Sequence, residues 1–192
     1  MKTLFLSALL TAGLASLSAC ATISEDACVA GDWEGIGFTD GTQGRSRARL
    51  ADISKTCAKY NITPDRSAYL RGLEEGLQRH CTPENGFRRG RQGDGVNNEC
   101  TVRGFADYAD AHAAGFTEYR IERDYRGLIA EWTEADEALR NVALRLEDET
   151  LSDSERARLA KKHRRLLRRA DSLRINIRAM ERIHGFPRWR AV

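Results

Sequence analysis

Apolar residues in the C-terminal half recur at Ile121, Tyr125, Leu128, Trp132, Ala135, Leu139, Val142 and Leu146, with gaps alternating between four and three. That is a heptad seam, which predicts one long amphipathic helix. A break follows at Thr150-Leu151-Ser152-Asp153-Ser154, where Ser152 and Glu155 are spaced as a capping box. The seam then resumes at Leu159, His163, Leu166, Ala170, Leu173, Ile177 and Met180, and Gly185 and Pro187 close it. Two such helices with a short connection predict an antiparallel hairpin over residues 101–192.

The N-terminal half reads differently. Aromatics precede glycines spaced for one helix face: Trp33 before Gly37 and Gly41, Tyr69 before Gly72 and Gly76, and Gly86-Phe87 before Gly90. Missing side chains on that face invite close helix–helix packing. A groove for an extended ligand is the alternative. Asp32, Asp65 and Thr82-Pro83 suit helix N-termini. No period-two run bounded by turns predicts a strand, so the fold class is mostly α: a small helical domain followed by a long coiled-coil-like hairpin. With aromatics at 7% and charged residues at 31%, the chain has a lean supply for a thick core, and a small domain built from it needs staples.

Five cysteines supply both staples and an address. Lys2 and the apolar run from Leu4 to Leu17 read as a secretory signal, too short to span a membrane. Leu17-Ser18-Ala19-Cys20 has the lipobox pattern, which predicts a signal peptide over 1–19, acylation at Cys20 and a tether over 20–27. Ala21, rather than Asp, after the acylated residue points to the outer membrane, with the domain facing the periplasm. In that oxidising compartment Cys28, Cys57, Cys81 and Cys100 form an even set. A helix from Asp32 to Gln43 turning back as one from Ser46 to Lys59 brings Cys28 to Cys57, and Cys81–Cys100 then closes the loop of Gly86 to Gly95. No C-x-x-C pair is present, so zinc is the lesser reading, and no metal or cofactor is expected.

Trp33-x-x-x-Gly37-x-x-Asp40-Gly41, Cys57, Thr63-Pro64-Asp65, Tyr69-x-x-Gly72-x-x-x-Gly76-Leu77 and Cys81-Thr82-Pro83-Glu84-Asn85-Gly86 together resemble a bacterial lipoprotein domain of unknown function. The resemblance covers residues 28–100. It departs at His80, where an aromatic often precedes the cysteine, and in the long segment after Cys100. It implies envelope location and disulfides, and supplies no activity or catalytic residues to carry over.

Charge adds one feature. Residues 117–149 hold ten acids against five arginines, and residues 152–190 hold thirteen Lys or Arg against four acids. The hairpin helices therefore attract, and a basic excess remains, densest at Lys161, Lys162, Arg164, Arg165, Arg168 and Arg169. That run suits an anionic partner or simply a solvated face; a nucleic-acid partner does not fit a secreted chain. The tail Phe186-Pro187-Arg188-Trp189-Arg190 suits either an interface or folding back on the hairpin. Histidines 80, 112, 163 and 184 are scattered, with His163 on the seam, and no hydrolase, zinc-protease or phosphate-loop motif occurs. Glu34 with Asp40, and His80 with Glu84, are the only polar pairs placed to form a site. The expected function is a lipid-anchored binding or scaffold module contacting an envelope protein or a second copy. An envelope-polymer hydrolase or small-ligand-binding protein is the alternative.

Overall fold

The structure, a computed structural model, describes residues 23–190; the expected signal segment over 1–19 and the expected acylation site Cys20 lie outside them. Eight α-helices occur among these residues, with a 3₁₀ turn at Ala58–Tyr60 and no strand: α1 Glu25–Ala30, α2 Trp33–Thr42, α3 Arg49–Cys57, α4 Arg66–His80, α5 Pro83–Arg91, α6 Asn98–Val102, α7 Ala106–Leu146 and α8 Asp153–His184. Starts follow the predicted caps. Asp32 accepts from the Gly35 N–H at 2.9 Å, Asp65 from Ser67 and Ala68, and the Thr82 hydroxyl from Asn85. Ser152 and Glu155 form the capping box at the start of α8.

The chain divides into two compact units, one ending at His80 and one beginning at Cys81. The sequence pattern placed its boundary after Cys100. The physical reason for the earlier division lies in the glycines: Gly86 and Gly90 pack on the first turns of α7, so the second disulfide loop shares a unit with the long helix.

In the first unit α2 and α4 run in parallel with backbones in contact. A Cβ on Gly37 would strike the Tyr69 carbonyl. One on Gly41 would sit 2.8 Å from the Gly76 Cα, and one on Gly72 would sit 2.8 Å from the Phe38 nitrogen. This corrects the expected α2–α3 hairpin. The main partner of α2 is α4, because both carry glycines four apart, whereas α3 (Arg-Leu-Ala-Asp-Ile-Ser-Lys-Thr-Cys) has none. α3 buries Leu50, Ile53 and Cys57, while α2 and α4 bury Trp33, Tyr69, Leu73 and Leu77. The expected disulfide Cys28–Cys57 is present, with the Cα atoms 5.6 Å apart.

The second unit repeats the device. Gly86 lies under the Tyr108 carbonyl, Gly90 under that of His112, and Gly115 under that of Phe87, so α5 and α7 are also parallel and in backbone contact. Cys81–Cys100 is formed as expected, Cα to Cα 5.4 Å. Beyond Tyr119, α7 pairs with α8 as the heptad pattern requires. Tyr125, Trp132, Ala135, Ala170, Leu173 and Ile177 are buried, with Leu128, Leu139 and Met180 packed around them. Arg156 closes the turn by donating to the Leu146 and Asp148 carbonyls at 2.8 and 2.9 Å, which satisfies the C-terminal end of α7.

Candidate functional site

The most buried charged group in the first unit is Asp40, on the last turn of α2, 4% exposed. It is fully engaged. Arg49 Nε, at the start of α3, lies 3.0 and 2.9 Å from its two oxygens, the Tyr69 hydroxyl of α4 donates at 2.8 Å, and Arg45 stands 3.5 Å away. Burial first, and the Asp40 carboxylate second, push the Tyr69 hydroxyl well above its ordinary range, so it holds its proton and serves as a donor. One carboxylate thus ties three helices together. A shallow hollow of about 540 Å³ opens beside it, lined among others by Asp32, Thr39, Gln43, Arg45 and Arg49. The geometry supports a structural lock, because each Asp40 oxygen already has a donor.

The second unit carries the same framework with the charges exchanged. Gly37-Phe38-x-x-Gly41-x-Gln43-Gly44 reappears as Gly86-Phe87-x-x-Gly90-x-Gln92-Gly93, and Tyr69…Gly76 reappears as Tyr108…Gly115 at the same interval. The turns coincide in detail. Gly44 and Gly93 take φ of 70° and 80°, which other residues adopt at a cost, and the following N–H returns to the carbonyl of Asp40 or of Arg89. Where the first unit pairs Asp40 with Arg45, the second pairs Arg89 with Asp94 at 3.2 Å. Tyr108 is fully buried, and that burial raises its hydroxyl above the ordinary value. The buried His112 ring nitrogen lies 2.9 Å from the Asp94 carbonyl. The two halves are a tandem repeat of one disulfide-closed, glycine-paired motif. The sequence reading noted the recurring glycines but missed Arg45, Arg49, Arg89 and Asp94. The Gly-Phe-x-x-Gly-x-Gln-Gly string, read at both places, is the signal that finds them.

Of the polar pairs expected from sequence, Glu34 and Asp40 have separate partners. Glu34 faces Arg71 at 3.0 Å while Asp40 serves Arg49 and Tyr69. His80 bonds the Thr42 carbonyl within the first unit, and Glu84 belongs to the first turn of α5 in the second. His163 is half-buried on the seam, and His184 is exposed. Among the described residues, no group of three or more His, Cys, Asp or Glu is placed to hold a metal.

The basic run is exposed throughout. Arg169 reaches Glu131 at 3.3 Å; Lys161, Lys162, Arg164, Arg165 and Arg168 have no ion pair with a described carboxylate. Arg145, Arg158, Lys161, Lys162, Arg165 and Arg168 line a cleft of about 660 Å³ together with Glu155 and Leu159.

The tail folds back on the hairpin. Phe186 stacks on Tyr125 with centroids 4.4 Å apart, and Trp189 meets Trp132 edge-on at 4.7 Å. Buried Glu181 holds the clasp: it accepts from the Trp189 N–H at 2.6 Å, from Arg178 at 2.7 Å and from the Tyr125 hydroxyl at 3.3 Å. Burial works to raise this carboxyl, but the bonds from Arg178 and Trp189 and the Arg178 charge outweigh it and hold it below its ordinary value. A carboxyl depressed on folding stabilises fully above the ordinary carboxylate range, and that contribution is lost as pH falls through the folded value. Acidification below the usual glutamate range is therefore expected to release the tail and change the tryptophan fluorescence. Glu181→Gln should show the released signal at neutral pH and no acid-dependent step beyond global unfolding.

Residues 32–117 match the family model described as a protein of unknown function (DUF2799). The match starts at the Asp32 cap and stops at Thr117, so it takes in both glycine-paired halves and leaves out the α7–α8 pairing. No curated protein and no solved structure matches the chain.

Proposed function

We propose that this chain is a lipoprotein of the bacterial envelope, acylated at Cys20, held at the outer membrane facing the periplasm, and acting as a binding or scaffold module. The pairing of the cysteines carries the reading. Four of the five are joined in two disulfides, which suits an oxidising compartment, and the fifth closes the Leu17-Ser18-Ala19-Cys20 pattern. No helix among the described residues is long and apolar enough to cross a membrane, so attachment in this reading rests on acyl chains, each buried methylene adding about 0.8 kcal/mol. The matched region supplies a rigid double motif whose buried polar groups are spent on structure, and α7 and α8 extend beyond it as the contact element for an envelope protein or a second copy.

The test is metabolic labelling with an alkyne fatty acid in a Gram-negative host, followed by membrane fractionation and mass spectrometry of the N-terminal peptide. Acyl label at Cys20 and sedimentation with outer membrane are expected, and Cys20→Ser should abolish both. A chain cut elsewhere and released as soluble protein would reject the anchor. The contact role of the hairpin is better probed by surface substitutions than by truncation after Cys100, which would strip α7 from Gly86 and Gly90.

A further inference from the structure

One outward face of α8 joins a cluster of cations to exposed isoleucines. At helical spacing it runs through Arg158, Lys161, Lys162, Arg165 and Arg168, then continues as Ser172, Ile175, Asn176, Ala179 and Ile183. It carries cations at one end and bare isoleucines at the other, Ile175 being 67% and Ile183 73% exposed. One carboxylate, Glu155, lies among the cations that line the cleft, and it is engaged by the Ser152 N–H and hydroxyl. Glu181 is buried in the tail clasp, and Asp171 falls on the adjacent stripe with Leu167, Arg174 and Arg178. The face is about 38 Å long.

We propose that this face of α8 docks on anionic phospholipid headgroups. The inference rests on the membrane-attached reading above and names the partner of its contact element. Cations of the cleft meet phosphates, with the long Lys and Arg stems lying along the surface and their charges in the headgroup layer. Ile175 and Ile183 enter the boundary between headgroups and acyl chains, as the apolar residues of interfacial helices do. An acidic protein groove would match the cations but leave both isoleucines against a polar wall.

The test uses residues 20–192 with Cys20→Ser, so that neither the apolar signal segment nor acyl chains play a part, and vesicles made of equal parts phosphatidylethanolamine and phosphatidylglycerol or of phosphatidylcholine alone. Binding to the anionic vesicles and its loss in high salt are expected. K161Q/K162Q/R165Q/R168Q should bind about tenfold or more weakly, since several headgroup contacts are removed. The charge-conserving K161R/K162R variant should bind like the parent. I175S/I183S should weaken binding while leaving its salt dependence unchanged. These side chains are exposed, so unaltered thermal unfolding of each variant is the folding control. Equal binding to both vesicle types, or an unaffected quadruple variant, overturns the proposal. So does retention on an acidic polypeptide matrix without vesicle binding, which would assign the face to an acidic protein. Vesicle binding without acylation in cells would sink the anchor alone, and acylation without vesicle binding would sink this inference alone.

Discussion

Gly41→Ala is expected to destabilise the first unit by about 3 kcal/mol or more, while the same substitution at Gly127 stabilises α7 by up to about 1 kcal/mol. Both are helical glycines replaced by one methyl group. At Gly41 the new Cβ would press on the Leu73 carbonyl and lie 2.8 Å from the Leu77 nitrogen and the Gly76 Cα, all backbone atoms of α4 or its neighbouring turn. Backbone cannot rotate aside, so α2 and α4 must part along their whole contact, and the Asp40–Tyr69 bond that spans them is stretched as well. At Gly127 a Cβ meets nothing within 4 Å, and only the gain in helix propensity remains. Urea unfolding followed by Trp33 fluorescence reports the first change, and thermal unfolding followed by the signal of Trp132 reports the second. A cost below about 1 kcal/mol at Gly41 would show that the glycine contact is not what holds the pair together.

Removing the disulfides should cost nearly as much. The Cys28–Cys57 bridge spans a separation of 29 residues and Cys81–Cys100 one of 19. Loop-closure entropy puts their contributions at roughly 3.5 and roughly 3 kcal/mol. The consequences differ by unit. Cys28→Ser with Cys57→Ser frees α1 and the end of α3 from a unit whose remaining core is a few side chains on α2, α3 and α4. Cys81→Ser with Cys100→Ser leaves the α7–α8 seam untouched, so the hairpin should persist while the α5 contact loosens. Hydrogen exchange resolved along the chain separates these outcomes. Loss of protection confined to residues near 81–120 in the second variant is expected. Global loss would mean that α5 and the hairpin fold as one cooperative element.

The motif's double occurrence explains why these two features dominate. Each copy buries little apolar surface, so stability comes from backbone-to-backbone contact at glycines, from a cross-link, and from a charged pair at the turn: Asp40 with Arg45 in one copy, Arg89 with Asp94 in the other. Pairing a buried charge is a requirement more than a gain, and truncating Asp40 would leave Arg49 and Tyr69 unsatisfied.

Local and periodic features were determined by the sequence alone. The seams of α7 and α8, the Ser152–Glu155 box, the caps at Asp32 and Thr82 and the mostly helical class follow from spacing and turn chemistry, which act over a few residues; parity says that the four cysteines pair, and both expected pairings are present although the α2–α3 hairpin that suggested the first is not. Tertiary structure decided what depends on which surfaces meet. A glycine face states that some backbone approaches without saying whose, so α4 rather than α3 as the partner of α2, and α7 as the partner of α5, emerge only when the helices are assembled. The same holds for the lock at Asp40, whose arginine comes from α3 and tyrosine from α4, and for the tail, which Glu181 clasps only because Arg178 and the Trp189 N–H converge on it. Long-range convergence of this kind leaves no periodic trace in a single chain, because each partner sits where its own helix, not its neighbour's sequence, has put it.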